Sequence, residues 1–408
     1  MNILHLNQSD IAGGAAIAAY RLHQGLRKVG VDSRLLVPDA VLNEETTTVL
    51  APMSLAERAL FKLTFELLPH NTNLLRSWKI LKTPDYQKAD VVHFHNLHTG
   101  LYFNYLTIPR ITREKPVVFT LHDMWGFTGH CTYSYDCERW LQGCGHCPYP
   151  ETYPAVQWDN TAIEWWLKKQ VYGRSKLTIV TPSQWLSNLA QKSILGQFPI
   201  RTIPYGIDTD VYRPMDKAKS RLHLGLPQEK TVLMFACADL NDSRKGMDFL
   251  VQVLKSLPEE IKKNTVLLAM GRGGSSLSEI TGIPTIQAGY VESEEEKAGC
   301  YSAADIFIST TRADNLPLVL QESLACGTPM LATRVGGCTD VVREGVTGFT
   351  AASDDLNGMT HLLIELISNV AHRQEMAVRC RQVAINEYAM KTIAQKYATL
   401  YESLIPLR

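Results

Sequence analysis

The 408-residue sequence has no excess of either charge, because 41 lysine and arginine residues balance 41 aspartate and glutamate residues. A nucleic-acid-binding protein normally carries a basic excess or a basic stripe, so we expect no nucleic-acid partner. No apolar run approaches the roughly 18–20 residues that a membrane-spanning helix needs. The first residues also lack the basic and apolar regions of a secretory signal. We therefore expect a cytoplasmic protein, and its size suggests an enzyme.

The composition also lacks any strong bias: 45% of the residues are hydrophobic and 20% are charged. These are ordinary values for globular proteins, and they exclude a wholly disordered, collagenous or coiled-coil chain. The length predicts two or three domains.

Short apolar runs rich in β-branched residues alternate with helical patterns along the chain. A first series includes residues 2–7, 90–95 and 117–121, and a second series runs from 231–236 to 330–333. This alternation is typical of βαβ units and parallel sheets. The fold class is therefore α/β, with two doubly wound domains and a cleft between them.

The domain boundary is predicted from a segment rich in proline and glycine at residues 198–206. We assign residues 1–205 to a first domain and 206–387 to a second domain. The helical tail is longer than the second sheet needs. We expect its last part, about residues 388–408, to cross back onto the first domain.

The segment from Ser309 to Pro329 predicts a strand, a loop and a helix that starts near Pro317. Backbone amides at the start of such a helix lie at its positive end, where a diphosphate binds well. Asp314 and Glu322 flank this position, eight residues apart. The amides that we expect to contact the anion belong to Asn315, Leu316, Pro317, Leu318 and Val319.

This segment resembles the E-x7-E region of the retaining GT-B glycosyltransferases of family 4, also called group 1. Further motifs of that family follow in the expected order over nearly the whole chain. They are Gly13-Gly14, His122-Asp123, Thr181-Pro182-Ser183, Tyr205-Gly206-Ile207-Asp208, Arg244-Lys245-Gly246 and the block from Ala303 to Gly337. The resemblance implies the GT-B fold, in which two Rossmann-like domains face a central cleft. The first domain would lie on the acceptor side and the second would bind the nucleotide sugar.

The resemblance also implies roles for single residues. Asp314 would contact the donor sugar, Glu322 the ribose, and His122 the region of the transferred sugar. Arg244 and Lys245 would hold the diphosphate. His95 and His98 lie near His122 in the pattern, and either a functional or a structural role fits them.

Two further positions are predicted from the residues themselves. Gly13 and Gly14 precede a helix, where bare backbone either approaches a ligand closely or simply forms a tight turn. Tyr290 follows a predicted strand and could stack on the nucleotide base.

The sequence departs from the family pattern at two positions. The first carboxylate is Asp314 where the family usually has glutamate, which shortens its reach by one methylene. The usual arginine has no counterpart at Asp239, and Arg244 is the available substitute. The D-x-D motif Asp208-Thr209-Asp210 follows the linker, and we expect it to be structural rather than metal-binding. We therefore expect no cofactor or metal in catalysis.

Four cysteines cluster at Cys131, Cys137, Cys144 and Cys147. Their spacing is compatible with a closed structural zinc site, with packed free thiols or with disulfides. His130 and His146 could replace a cysteine as ligands.

Residues 55–82 combine apolar and basic side chains. They fit core helices, or a surface that contacts a membrane or a lipid-linked substrate at the inner face of a membrane.

These observations predict a retaining, metal-independent glycosyltransferase. Family frequency favours UDP-glucose or a related UDP-sugar as the donor, and a glycan or lipid-linked glycan of envelope or exopolysaccharide synthesis as the acceptor. The alternatives are a GT-B epimerase or phosphorylase, and an inactive scaffold that binds a glycan or a nucleotide.

Overall fold

A computed structural model of the chain describes residues 1–42, 44–55, 57–59, 61–62, 76–98, 102–274 and 276–406. The chain divides into two compact units. Unit 1 comprises Met1–Gly206 together with Lys391–Arg408, and unit 2 comprises Ile207–Met390.

Unit 1 is built on a seven-stranded parallel sheet with the order β3-β2-β1-β4-β5-β6-β7. Its strands are β1 (Asn2–Leu6), β2 (Asp32–Val37), β3 (Thr47–Val49), β4 (Val91–Phe94), β5 (Val117–Thr120), β6 (Thr178–Thr181) and β7 (Ile200–Thr202). Strand order reverses between β1 and β4, and ligands of doubly wound sheets bind beyond the carboxyl ends of the strands at such a point.

The helices of unit 1 flank this sheet. They are α1 (Gly14–Lys28), α2 (Arg76–Leu81), α3 (Pro84–Lys88), α4 (Ile108–Glu114), α5 (Thr161–Tyr172) and α6 (Gln184–Lys192). Most central strands are buried on both faces, as expected for a parallel sheet that is covered by helices on both sides.

Unit 2 repeats the architecture with a six-stranded parallel sheet in the order β10-β9-β8-β11-β12-β13. Its strands are β8 (Thr231–Asp239), β9 (Thr265–Arg272), β10 (Thr285–Gly289), β11 (Ile306–Ser309), β12 (Met330–Thr333) and β13 (Gly348–Ala351). Here the order reverses between β8 and β11.

The helices of unit 2 are short, apart from the two that begin the helical tail. They are α7 (Lys217–His223), α8 (Met247–Lys255), α9 (Glu259–Lys263), α10 (Leu277–Thr281), α11 (Glu294–Ala303), α12 (Leu318–Ala325), α13 (Cys338–Val341), α14 (Leu356–Ser368) and α15 (Val370–Val383). A π-helical turn, Ala384–Tyr388, links them to the last helix, α16 (Met390–Leu404).

Helix α16 packs on the first sheet rather than on the second. Its apolar side chains Ile393, Ala394, Tyr397 and Tyr401 belong to one buried cluster with residues of α1 and of the central strands of unit 1. The chain therefore returns to unit 1 after completing unit 2. Unit 2 ends at Met390, three residues beyond the predicted limit of 387.

Three strands differ from the sequence-based expectation. The short edge strands β3, β7 and β13 were not predicted, and β7 lies inside the segment interpreted as a linker. Edge strands of three or four residues carry little periodicity, because so few positions alternate. The boundary between the units falls after Gly206, one residue beyond the predicted one.

Within the described part of the chain, no helix is both long and apolar enough to cross a bilayer. The predicted surface at residues 55–82 lies largely outside the described residues, since 56, 60 and 63–75 are not among them.

Candidate active site

Arg244 and Lys245 lie just beyond the carboxyl end of β8, at the point where the strand order of unit 2 reverses. They form a 3₁₀ turn, Ser243–Lys245, and the Asp242 carboxylate caps it by accepting the Arg244 N–H at 2.9 Å. Gly246 ends the turn with a φ of 69°, and a Cβ there would lie 2.0 Å from the Thr310 carbonyl oxygen. Glycine is therefore required for the two cations to pack against the segment that follows β11.

Asp314 lies in that segment, beyond the end of β11, and meets both cations. Lys245 Nζ is 2.6 Å from Asp314 Oδ2, and an Arg244 guanidinium nitrogen is 3.5 Å from the same oxygen. Arg244 also donates to the Ala313 carbonyl at 3.0 Å. Burial opposes the charge of Asp314, but Lys245 and Arg244 outweigh it and hold the pKa of the carboxyl below its ordinary value. The three predicted residues thus form one ionised cluster.

The helix after Asp314 begins one residue later than predicted, because Pro317 is the N-cap of α12 rather than its first residue. The Asn315 amide donates to Asp314 Oδ1 at 2.9 Å, and Pro317 has no N–H. The prediction of an uninterrupted run of available amides from Asn315 to Val319 is therefore wrong for these two positions. The local Asp314–Asn315 contact uses the first amide to orient the carboxylate.

Glu322 lies inside α12, on the second helical turn, and is almost fully buried. Its Oε2 accepts the Tyr301 hydroxyl at 2.9 Å. Burial and Glu322 both raise the pKa of the Tyr301 phenol, so that Tyr301 stays a protonated donor. Tyr301 orients Glu322, and the sequence pattern did not indicate this contact.

Tyr290 follows β10 and is 46% exposed. The Arg272 guanidinium, at the end of the neighbouring strand β9, lies 4.3 Å from the centre of its ring. This distance suits a cation–π contact. The position of Arg272 at the end of a predicted strand was a usable signal in the sequence.

The glycine pair of unit 1 starts helix α1. Gly13 is its N-cap with a φ of 93°, and apart from its chain neighbours no atom of the described residues lies within 4 Å of the place where a Cβ would be. The preceding loop is held by Asp10, whose carboxylate accepts the N–H groups of Ile11, Val41 and Leu42 at 2.7–3.0 Å. Burial opposes the charge of Asp10, but these backbone donors together lower its pKa. Sequence reasoning missed Asp10.

His122 lies just beyond the end of β5 and uses both ring nitrogens within unit 1. Its Nδ1 is 2.8 Å from the Tyr205 hydroxyl, and its Nε2 is 3.0 Å from Nδ1 of His95. The rings of His122 and Tyr205 also stack, with centroids 5.4 Å apart. Burial lowers the pKa of His122 to about 3, with a smaller effect of His98, so the imidazole is neutral. His95 is thereby joined to His122.

A second group beside His122 contains His98 and Asp123. His98 Nε2 is 3.7 Å from Asp123 Oδ2, which is too long for a hydrogen bond. Burial raises the pKa of Asp123 to about 7, although the Trp125 N–H and Lys168 act against the shift. A carboxyl group that titrates near neutrality at a strand end is a common feature of functional sites. The sequence analysis named Asp123 only as part of the His122-Asp123 motif and predicted no role for it.

Two family models match this chain, one over residues 12–211 and described as Glycosyltransferase Family 4, the other over residues 230–369 and described as Glycosyl transferases group 1. The chain belongs to the group 1, family 4 glycosyltransferases.

Among curated proteins, the glycosyltransferase is 26% identical over 432 residues to the putative colanic acid biosynthesis glycosyl transferase WcaC of Escherichia coli. The match covers 99% of this chain and 100% of that protein. A D-inositol 3-phosphate glycosyltransferase of Mycobacterium is 32% identical over 173 residues, which are 40% of this chain and 38% of that protein.

Solved structures show that this fold is GT-B. The sucrose-phosphate synthase of Thermosynechococcus elongatus superposes with a TM-score of 0.72 at 19% identity, covering 99% of this chain and 98% of that one. HepE of Anabaena, solved in complex with UDP, superposes with a TM-score of 0.69 at 15% identity, covering 99% and 100%.

Three buried histidines of the glycosyltransferase, His5, His93 and His95, have ligating atoms within 4.8 Å of one another. However, His5 Nδ1 is only 2.9 Å from His95 Nε2, a hydrogen-bond distance. Two nitrogens that share a tetrahedral zinc at about 2.0–2.1 Å would be roughly 3.3 Å apart. His93 uses its nitrogens on the hydroxyls of Tyr401 and Thr120, each at 2.7 Å. Among the described residues, hydrogen bonds therefore hold every ring nitrogen of this cluster except Nε2 of His5.

The four cysteines of the predicted zinc cluster lie in the loop that follows Asp123. Burial raises the pKa of the Cys131 thiol to about 12 and that of the Cys144 thiol to about 11. Other cysteines of the cluster raise both pKa values further by electrostatic repulsion. His130 Nε2 is 3.2 Å from the sulfur of Cys147. The cysteine sulfurs do not form a group within 4.8 Å of one another like that of the histidines, as far as the described residues go. Zinc binding at this cluster stays a prediction.

Proposed function

We propose that this glycosyltransferase transfers a hexose from a nucleoside diphosphate sugar to a glycan acceptor, with retention of the anomeric configuration. UDP-glucose or a related UDP-sugar is the proposed donor. In this proposal unit 2 binds the donor and unit 1 binds the acceptor, a glycan or lipid-linked glycan. The observation that carries the proposal is the cluster of Arg244, Lys245 and Asp314 at the switch point of the second sheet.

The cluster suits a diphosphate leaving group that is held without a metal ion. Breaking the bond between the anomeric carbon and the phosphate oxygen leaves negative charge on the diphosphate, and fixed cations stabilise such charge. Arg244 and Lys245 supply two positive charges on one short turn. Asp208 Oδ1 accepts the N–H of Asp210 at 3.0 Å and closes a turn, which supports the proposed structural role of the D-x-D motif.

Donor binding would change the partners of Lys245. In the free protein Lys245 is paired with Asp314. A diphosphate would compete for this cation and for Arg244, leaving the Asp314 carboxylate to accept hydroxyl groups of the donor sugar. The buried Glu322, oriented by Tyr301, would accept the ribose hydroxyls.

The proposed reaction needs no enzyme nucleophile. The acceptor oxygen forms a bond to the anomeric carbon on the face from which the diphosphate departs, and the leaving phosphate oxygen takes the acceptor proton. The transition state has oxocarbenium character. We assign His122, a neutral imidazole at the end of β5, to the region of the transferred sugar.

The pathway is proposed from the named relatives. WcaC is named for colanic acid biosynthesis, and HepE has been solved with UDP-glucose as well as with UDP. The first name supports a polysaccharide product in the envelope or outside the cell, and the second supports a UDP-sugar donor. A lipid-linked acceptor would bring the enzyme to the inner face of a membrane.

The test is a panel of UDP-, GDP- and ADP-sugars, with release of nucleotide diphosphate measured in the presence and absence of glycan acceptors. We expect UDP release with a UDP-sugar, and its loss in the Lys245→Met variant. Lys217→Met is the matched control, because Lys217 forms a similar ion pair with Asp305 at 2.9 Å elsewhere in unit 2. Interconversion of the free UDP-sugar would instead indicate an epimerase. Formation of a sugar phosphate from a glycan and inorganic phosphate would indicate a phosphorylase, and binding without turnover would indicate a scaffold.

A further inference from the structure

Four side chains of unit 1 form one continuous chain of hydrogen bonds. The Tyr205 hydroxyl is 2.8 Å from Nδ1 of His122, whose Nε2 is 3.0 Å from Nδ1 of His95. The Nε2 of His95 is in turn 2.9 Å from Nδ1 of His5. Each of the two links between imidazoles joins the Nε2 of one ring to the Nδ1 of the next, so the three rings have the same orientation along the chain.

The three imidazoles are neutral, and this couples their tautomers. Burial lowers the pKa of all three groups, and neighbouring histidines lower those of His5 and His95 further. A neutral imidazole has one N–H donor and one acceptor nitrogen. Each link needs one donor and one acceptor, so all three rings must carry the proton on Nδ1, or all three on Nε2. The state of His5 therefore determines the state of His122.

His5 decides between the two forms. Its Nε2 is buried and has no hydrogen-bond partner among the described residues. Among backbone groups, an orphaned buried N–H is rarer than an under-satisfied carbonyl oxygen, and the same preference applied to this ring favours a lone pair on Nε2 and a proton on Nδ1. In that form His5 would donate to His95, His95 would donate to His122, and the Nδ1–H of His122 would point at the Tyr205 oxygen.

We propose that His95 and His5 are positioning residues that keep His122 in its Nδ1–H form and so aim an N–H donor at the place now taken by the Tyr205 hydroxyl oxygen. This inference rests on the proposed function. A substrate hydroxyl that replaces the Tyr205 oxygen would find a donor there and would accept a hydrogen bond from His122. With the opposite tautomer it would meet a lone pair and would have to donate its own proton.

The direct test is nuclear magnetic resonance of the full-length, deuterated protein labelled with ¹⁵N-histidine. Two-bond proton–nitrogen correlations show which ring nitrogen of each histidine carries the proton. We expect His5, His95 and His122 all in the Nδ1–H form. An Nε2–H form of His122, or His5 and His122 in opposite forms, would overturn the inference. So would a shift of these signals on addition of Zn²⁺, because the cluster would then be a metal site.

A pair of variants tests the functional consequence. His95→Phe breaks the chain, and we expect His122 to lose its single tautomer. We also expect kcat to fall by about tenfold, the size of one lost hydrogen bond near the reacting groups, with the donor KM unchanged. His93→Phe is the matched control: His93 is equally buried and its ring lies 4.1 Å from that of His95, but its hydrogen bonds go to Tyr401 and Thr120.

The control should keep the tautomer of His122 and most of the kcat. Equal losses of kcat in both variants, with His122 unchanged in each, would show a merely structural role and overturn the inference. If no donor supports transfer, the proposed function fails while the magnetic resonance experiment still decides the tautomer of His122.

Discussion

Removing the two cations that hold Asp314 should weaken UDP binding and also reverse the contribution of Asp314 to the pH dependence of stability. The perturbation is the double variant Arg244→Gln, Lys245→Met, which removes both charges and keeps much of each side-chain stem. A hydrogen bond from a charged group contributes about 1.5–3 kcal/mol. Both cations already contact Asp314 in the free protein, so we take the lower end of this range. Each cation then accounts for about tenfold in Kd, and the double variant should lose about a hundredfold.

The effect on stability follows from the burial of Asp314, whose side chain is 13% exposed. Its pKa in the folded wild type lies below the unfolded value, so its contribution is present above pH 4 and is lost as the pH falls through the folded pKa. Without the cations only the effect of burial remains large, and it raises the pKa. Relative to the wild type, the double variant should therefore gain stability as the pH is lowered from 7 to 4. At pH 7 it should be destabilised by about 3 kcal/mol, the lower end of the cost of an uncompensated buried charge.

Calorimetric titration with UDP and urea unfolding between pH 4 and 7 measure the two effects. Adding Asp314→Asn to the double variant should restore stability, because no charge is left uncompensated, but should not restore UDP affinity. Arg312→Gln is a control on the same loop. Arg312 pairs with Asp248 at 2.7 Å, and the Asp248 carboxylate is 58% exposed, so its loss should change stability by less than about 1 kcal/mol. Unchanged UDP affinity in the double variant would refute the assignment of the diphosphate site.

Three further predictions concern single features. Asp314→Asn alone should retain or strengthen UDP binding, because Lys245 loses its internal partner, yet lose most sugar transfer; full activity would remove Asp314 from the donor-sugar contact. Gly246→Ala should lower the melting temperature and weaken UDP binding, because the new Cβ would lie 2.0 Å from the Thr310 carbonyl oxygen. Gly282→Ala is the control and should leave UDP binding intact, because Gly282 has a similar φ of 73° but open space around the position of its Cβ. If the cysteine cluster binds zinc, elemental analysis should find about one zinc per chain, and EDTA should leave sugar transfer intact. Cys144→Ser should then expose the loop to proteolysis without changing UDP affinity. A metal-free, active protein with four titratable thiols would contradict zinc binding.

The sequence was sufficient to predict the architecture, because buried parallel strands are short apolar runs that stand out between helical patterns. The two series of strands, the start of α1 and the long helical tail were all predictable in this way. The cations of unit 2 were assigned through the resemblance to the glycosyltransferase family. Asp314 was predictable from the pattern as well, because it follows a strand, and the carboxyl ends of parallel strands meet at one edge of a sheet.

Pairings between distant residues were decided only by the tertiary structure. These pairings include the contact of Tyr301 with Glu322, the ring of Tyr290 against Arg272, and the amides of Val41 and Leu42 on Asp10. No periodicity in the sequence relates the members of each pair. The histidine chain is the clearest example. His5, His95 and His122 lie on or beyond three different strands, and each looks alone like an ordinary strand-end histidine. Only the order β1-β4-β5 in the sheet brings their rings within hydrogen-bond distance, because strand order is set by packing and not by local pattern.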